Sequence, residues 1–148
     1  MARITEHLDV PVAPATAFDH VADFTTTVGW DPSIVSARRL DDGDLGVGSR
    51  FTVGLKAGLV TVPLTYEITA YERPDRVVLT TVGPLHRGED DVRFTATDRG
   101  TQVTWNAEFA LRGPGRLLDP VLGFGFRRTA AAAVAGLERS LNALADQP

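Results

Sequence analysis

Apolar residues along this chain follow two periods. Before Arg112 they alternate with polar residues, as in strands with one buried face; after Asp119 they recur at steps of three and four, as on one face of a helix. Residues 3–10 predict a first strand with Ile4, Leu8 and Val10 on one side, Arg3, Thr5, His7 and Asp9 on the other, and Glu6 interrupting the apolar side. Pro14 suits a first helical position, where its missing N–H would be unpaired anyway, and Phe18, Val21 and Ala22 give that helix an inner stripe. Thr25 to Thr27 and Gly29 disfavour a long continuation, and Pro32 drives Asp31 out of the helical region, leaving room for a short second helix around 24–28. The turn formers Asp41-Asp42-Gly43-Asp44 then separate neighbouring strands at 34–40 and 49–56.

Alternation is strongest beyond them. Val60, Val62, Leu64, Tyr66 and Ile68 share one face of a strand that Pro74-Asp75 ends, and Arg76 to Val82 forms another, closed by Gly83-Pro84. From His86 to Ala96 the even positions, Asp90 among them, face one way, and after Asp98-Arg99-Gly100 the residues Val103, Trp105, Ala107 and Phe109 do the same. Asp119-Pro120 supplies a cap and a proline for a last helix running to about Ala145, roughly 40 Å at 1.5 Å per residue. Its stripe is Leu118, Leu122, Phe126, Ala130, Ala133, Leu137, Leu141 and Leu144. The apolar face of the strands is the one large surface that can cover it. The expected fold is α+β over residues 1–148 as one domain: a seven-stranded curved antiparallel sheet around a long C-terminal helix, with two short helices after strand 1.

Composition narrows the chemistry. A chain of 148 residues and 15.9 kDa buries roughly two thirds of its unfolded surface in one core. No run approaches the roughly 18 apolar residues of a bilayer span, and residues 1–10 do not read as a secretory leader, so a cytoplasmic protein with no membrane span is expected. Absence of cysteine excludes disulfides, thiolate metal sites and cysteine nucleophiles. Net charge −4 argues against nucleic acid as a partner; Arg112, Arg116, Arg127 and Arg128, the one local basic excess, read either as a solvated helix start or as contacts for an anionic headgroup. His7, His20 and His86 are isolated, Gly46-Val47-Gly48 lacks the third glycine of a dinucleotide loop, and no serine sits in a nucleophile elbow, so neither a metal nor a cofactor is expected.

Several local patterns are specific. They are Val10-Pro11-Val12-Ala13-Pro14 leading to Ala17-Phe18 and Val21-Ala22-Asp23, then Trp30-Asp31-Pro32 and Gly46-Val47-Gly48-Ser49-Arg50-Phe51. Tyr71-Glu72-Arg73-Pro74-Asp75-Arg76-Val77-Val78 and Gly100-Thr101-Gln102-Val103-Thr104 complete them. In this order of elements the chain resembles the START-like (SRPBCC) superfamily, of polyketide cyclase/dehydrase and lipid-transport type, across its whole length. The resemblance implies the helix-grip fold, with a cavity between sheet and last helix used for lipids, isoprenoids or polyketide intermediates. These motifs are turns and caps that the architecture requires, and none is a reactive group.

The resemblance makes the inward side chains candidate ligand contacts: Trp30, Phe51, Val53, Leu64 and Tyr66 from the first half, and Val92, Phe94, Trp105, Phe109, Leu122 and Phe126 from the second. Each could equally belong to a plain packed core. Asp90 and Tyr66 are the candidate catalytic groups, because a carboxylate on an apolar face has its pKa raised by desolvation and a buried phenol wants a partner. Glu6 and His86 raise the same question less strongly, whereas Arg50 and Arg93 face outward. Three functions remain open: a binder of a hydrophobic small molecule, a polyketide cyclase, aromatase or dehydratase, and a partner-binding regulatory module. A monomer or a homodimer is compatible with each.

Overall fold

Glycine and proline turns break the alternating segments into a meander. The computed structural model describes residues 2–146, without the side chains of residues 115 and 118–125. Its elements are β1 (Ala2–Val10), α1 (Pro14–Ala22), a 3-10 turn (Phe24–Gly29), β2 (Ile34–Arg39), β3 (Arg50–Ala57), β4 (Val60–Glu72), β5 (Arg76–Val82), β6 (His86–Thr97), β7 (Gly100–Leu111), a second 3-10 turn (Gly113–Leu118) and α2 (Asp119–Ala145). Seven strands form one antiparallel sheet in the order β1-β7-β6-β5-β4-β3-β2, curled around α2. This is the helix-grip fold. Among the described residues no helix is long and apolar enough to cross a membrane.

Alternation along each strand puts one set of residues on the concave face, but that face is covered differently at its two ends. Where β1 ends, α1 drops Ala17, Phe18, Val21 and Ala22 into the sheet, all of them buried. Phe18 meets Phe94 and Tyr71 edge-on, at ring-centroid distances of 5.5 and 5.0 Å. Ile68, Val77, Val92, Val103 and Leu141 close around it with no exposed surface. Each such side chain stabilises the fold by about 1.5–3 kcal/mol through burial. At the other end, where β1 begins and the β3–β4 and β5–β6 turns lie, no α1 fills the sheet, and α2 spans the gap with the end of the first 3-10 turn.

Two local features depart from strict alternation. The register between β4 and β5 shifts between Ile68 and Ala70, a bulge that turns Tyr71 inward onto Phe18. Val60 and Val62 keep the inward phase of β4, yet they lie near the β3–β4 turn and are exposed. Gly136 explains how α2 is seated: a Cβ there would strike the backbone carbonyl of Trp30, so the helix rests directly on the end of the first 3-10 turn. That turn is stiffened by Asp23, which accepts hydrogen bonds from the Thr25 N–H at 3.1 Å and the Thr25 hydroxyl at 2.6 Å.

Candidate functional site

The uncovered end of the sheet encloses a cavity of about 320 Å³. Its walls come from every layer: Ile4 of β1, Leu55 of β3, Leu64 and Tyr66 of β4, Asp90 of β6, Trp105 and Phe109 of β7, Trp30 and Asp31 after the 3-10 turn, and Phe126, Ala133, Val134 and Leu137 of α2. Lys56 and Ala57, both exposed, and Thr129 mark the mouth beside the β3–β4 turn. Gly88 shapes the far wall, because a Cβ there would stand 2.9 Å from the Phe109 ring, which lies over it. Aromatic contacts hold the walls: Trp30 meets Trp105 edge-on at 5.7 Å, Phe24 meets Tyr66 at 5.0 Å, and Phe109 stacks on Phe126 at 6.2 Å.

Polar side chains interrupt this apolar lining, and Asp90, Asp31 and Tyr66 are the titratable ones inside the mouth. Asp90 points inward from β6, where register places it between Leu79 of β5 and Ala107 of β7. Burial pushes its carboxyl up to about 7; the indole N–H of Trp105, which donates to Oδ1 at 3.3 Å, acts the other way, and the charges of Asp31 and Glu89 add to the rise. Asp31 is also raised by burial, against hydrogen bonds to its Oδ1 from the Ser33 N–H at 2.9 Å and hydroxyl at 2.7 Å. Tyr66 is raised well above its ordinary value, first by burial and then by Asp90 and Asp31, so it stays a neutral phenol. Its hydroxyl has no hydrogen-bond partner among the described residues. The cavity therefore offers a free phenol donor and a carboxyl poised between its two forms, inside a wall of aromatic rings.

Of the residues singled out from sequence, Trp30, Leu64, Tyr66, Asp90, Trp105, Phe109 and Phe126 meet around this cavity. Phe51, Val53, Val92 and Phe94 are not on its wall; they belong to the packed core, with exposures of 4% or less. Leu122 and Leu118 lie outside the described side chains. Glu6 faces inward opposite Trp105 and is half-buried, off the wall. His86 stacks flat on Phe109 at 5.9 Å and bonds the Thr81 hydroxyl at 3.1 Å, behind the wall; burial, then the charge of Arg112, lowers its pKa. Arg50 and Arg93 are exposed. Asp31 is an acidic wall residue that the sequence did not single out: it reads as the position that Pro32 drives out of the helical region, and the same side chain serves both the turn and the cavity. Among the described residues no group of three His, Cys, Asp or Glu could hold a metal ion.

An apolar cavity between a curled sheet and its C-terminal helix defines the START-like class. Residues 1–147 match the family model of polyketide cyclase / dehydrase and lipid transport proteins, and the chain belongs to that family. Among solved structures it is similar to a START superfamily protein from Mycobacterium smegmatis, with TM-score 0.79 and 12% identity over 97% of this chain and 99% of that one. It is similar to the Zhui aromatase/cyclase from a Streptomyces species, with TM-score 0.76 and 13% identity over 94% and 92%. A protein from Thermus thermophilus gives TM-score 0.78 and 18% identity over 97% of both chains. At such identities the likeness carries the fold. No curated protein matches the sequence.

Proposed function

We propose that residues 1–148 act as one domain that binds a hydrophobic small molecule, a lipid, isoprenoid or polyketide-like compound, between the sheet and α2. The observation that carries this reading is the 320 Å³ cavity itself, within the range of small-molecule sites and lined by aromatic and aliphatic side chains around a few convergent polar groups. Apolar burial supplies the affinity, and Tyr66 with Asp90 orients one oxygen or nitrogen of the ligand. The protein works in the cytoplasm as a monomer or homodimer. Native mass spectrometry before and after incubation with a panel of lipids and aromatic polyketide-like compounds tests the reading. A discrete adduct of one chemical class is expected; no adduct across the panel sinks it.

A second reading, an enzyme of cyclase, aromatase or dehydratase type, is favoured by one observation: the Asp90 carboxyl sits near pH 7 on the cavity wall and can give or take a proton at little cost. Tyr66 would then hold a carbonyl oxygen of the substrate while Asp90 moves the proton. Asp90→Asn keeps ligand binding and removes turnover on this reading, and unchanged turnover rules Asp90 out as acid or base.

A further inference from the structure

Successive antiparallel strands place alternate turns at the same end of the sheet, so the β3–β4 turn, the β5–β6 turn and the segment after β7 share the end where the cavity opens. Large apolar side chains stand in solvent on all three: Leu59 is fully exposed, Leu117 is 88% exposed, and Val60, Val82 and Leu85 exceed 60%. Residues 56–60, 82–87 and 112–117 also carry Lys56, Arg87, Arg112 and Arg116 and not one Asp or Glu. None of those four cations has a carboxylate partner among the described residues. Arg112 ties two of the segments together, donating to the Gly83 carbonyl at 3.1 Å while its backbone N–H donates to Leu85 at 2.8 Å. The opposite end has the other sign, with Asp41, Asp42, Asp44, Asp75 and Asp98 in its turns. A chain of net charge −4 thus presents one cationic, apolar-tipped end.

We propose that this end docks on an anionic lipid bilayer, with Leu59, Leu85 and Leu117 entering the headgroup boundary and Lys56, Arg112 and Arg116 at the level of the phosphates. Apolar tips and cations on neighbouring turns, about 10 Å apart across two strand spacings, form the interleaved pattern of an interfacial surface. The acidic far end turns away from the same membrane, which fixes the orientation. Lys56 belongs both to this surface and to the cavity lining, so docking aims the cavity mouth at the bilayer.

Vesicle flotation tests the proposal. The protein floats with vesicles of equal parts phosphatidylcholine and phosphatidylglycerol and not with phosphatidylcholine alone, and added salt releases it. The double variant L59E and L117E loses binding about tenfold or more, and R116E about fivefold, while all melt like the wild type. V47E, at the acidic end, floats unchanged. Failure of the wild type to float with the anionic vesicles overturns the proposal, as does a double variant that floats like the wild type. If L59E and L117E instead dissolve a dimer seen by sedimentation and leave flotation untouched, the surface joins two copies and the proposal is wrong.

Discussion

The Trp105 indole N–H donates to the Asp90 carboxylate from two residues further along the β6–β7 ladder, at 3.3 Å. Among the described residues it is the one hydrogen bond that favours ionisation of Asp90, set against burial and two like charges that oppose it. Trp105→Phe keeps an aromatic wall and removes the donor. The Asp90 pKa is expected to rise above its value of about 7, read from the side-chain carboxyl shift in an NMR titration. A fall, or no movement, means the indole does not reach the carboxylate in solution.

Stability carries the same signature. Asp90 is raised from 3.8 when unfolded to about 7 when folded, so the native state holds the extra proton between those values. Unfolding stability from this group is fully present below pH 3.8, declines as pH rises, and is flat above about pH 7; the whole change amounts to at most about 4 kcal/mol. Asp31, also raised, works in the same direction, and Asp19, held low by Arg73, works in the opposite one. Asp90→Asn imitates the protonated acid. Its melting temperature relative to the wild type is therefore expected to be higher at about pH 8 than at about pH 5, and a pH-independent difference contradicts the burial of that carboxyl.

Gly136 and Trp30 yield a prediction about assembly. In an exposed helix, Gly→Ala stabilises by up to about 1 kcal/mol. Here the added methyl meets the Trp30 carbonyl, so Gly136→Ala forces α2 away from the 3-10 turn, and overpacking costs about 1–3 kcal/mol. Urea denaturation is expected to show net destabilisation. Gly29→Ala, with open space around its new methyl, stays within about 0.5 kcal/mol of the wild type. A stabilised Gly136→Ala shows that the close seat of α2 is absent.

These residues also mark what could be read from sequence. Faces were legible: Asp90, Val92, Phe94 and Trp105 all point inward as alternation requires, and the order of elements led to the helix-grip fold. Depth along a strand was not. Val92 and Asp90 are two residues apart on one face, yet Val92 is in the core and Asp90 borders the cavity, because α1 and its neighbours fill one end of the sheet and not the other. Tyr71 was lost for a similar reason, since the bulge that turns it inward leaves no mark in a period-2 pattern. Asp31 read as a helix end set by Pro32, which it is; its second role depends on where α2 comes to rest.

A pair of substitutions separates cavity from core. Ala133 projects from α2 onto the cavity wall, where a larger side chain finds empty space, whereas Phe94 is 4% exposed and packs against Phe18. Ala133→Leu extends into the void and adds apolar contact, so its stability is expected to match or exceed that of the wild type while uptake of an apolar fluorophore such as Nile red weakens about tenfold. Phe94→Leu leaves a gap behind the cavity, so it costs about 1–3 kcal/mol in urea denaturation and changes fluorophore affinity little. Measured together, Ala133→Leu loses dye binding without losing stability and Phe94→Leu loses stability without losing dye binding if the space under α2 is the ligand site. Should Phe94→Leu reduce Nile red binding as much as Ala133→Leu does, the probe is reading general loosening of the fold and not occupation of the cavity.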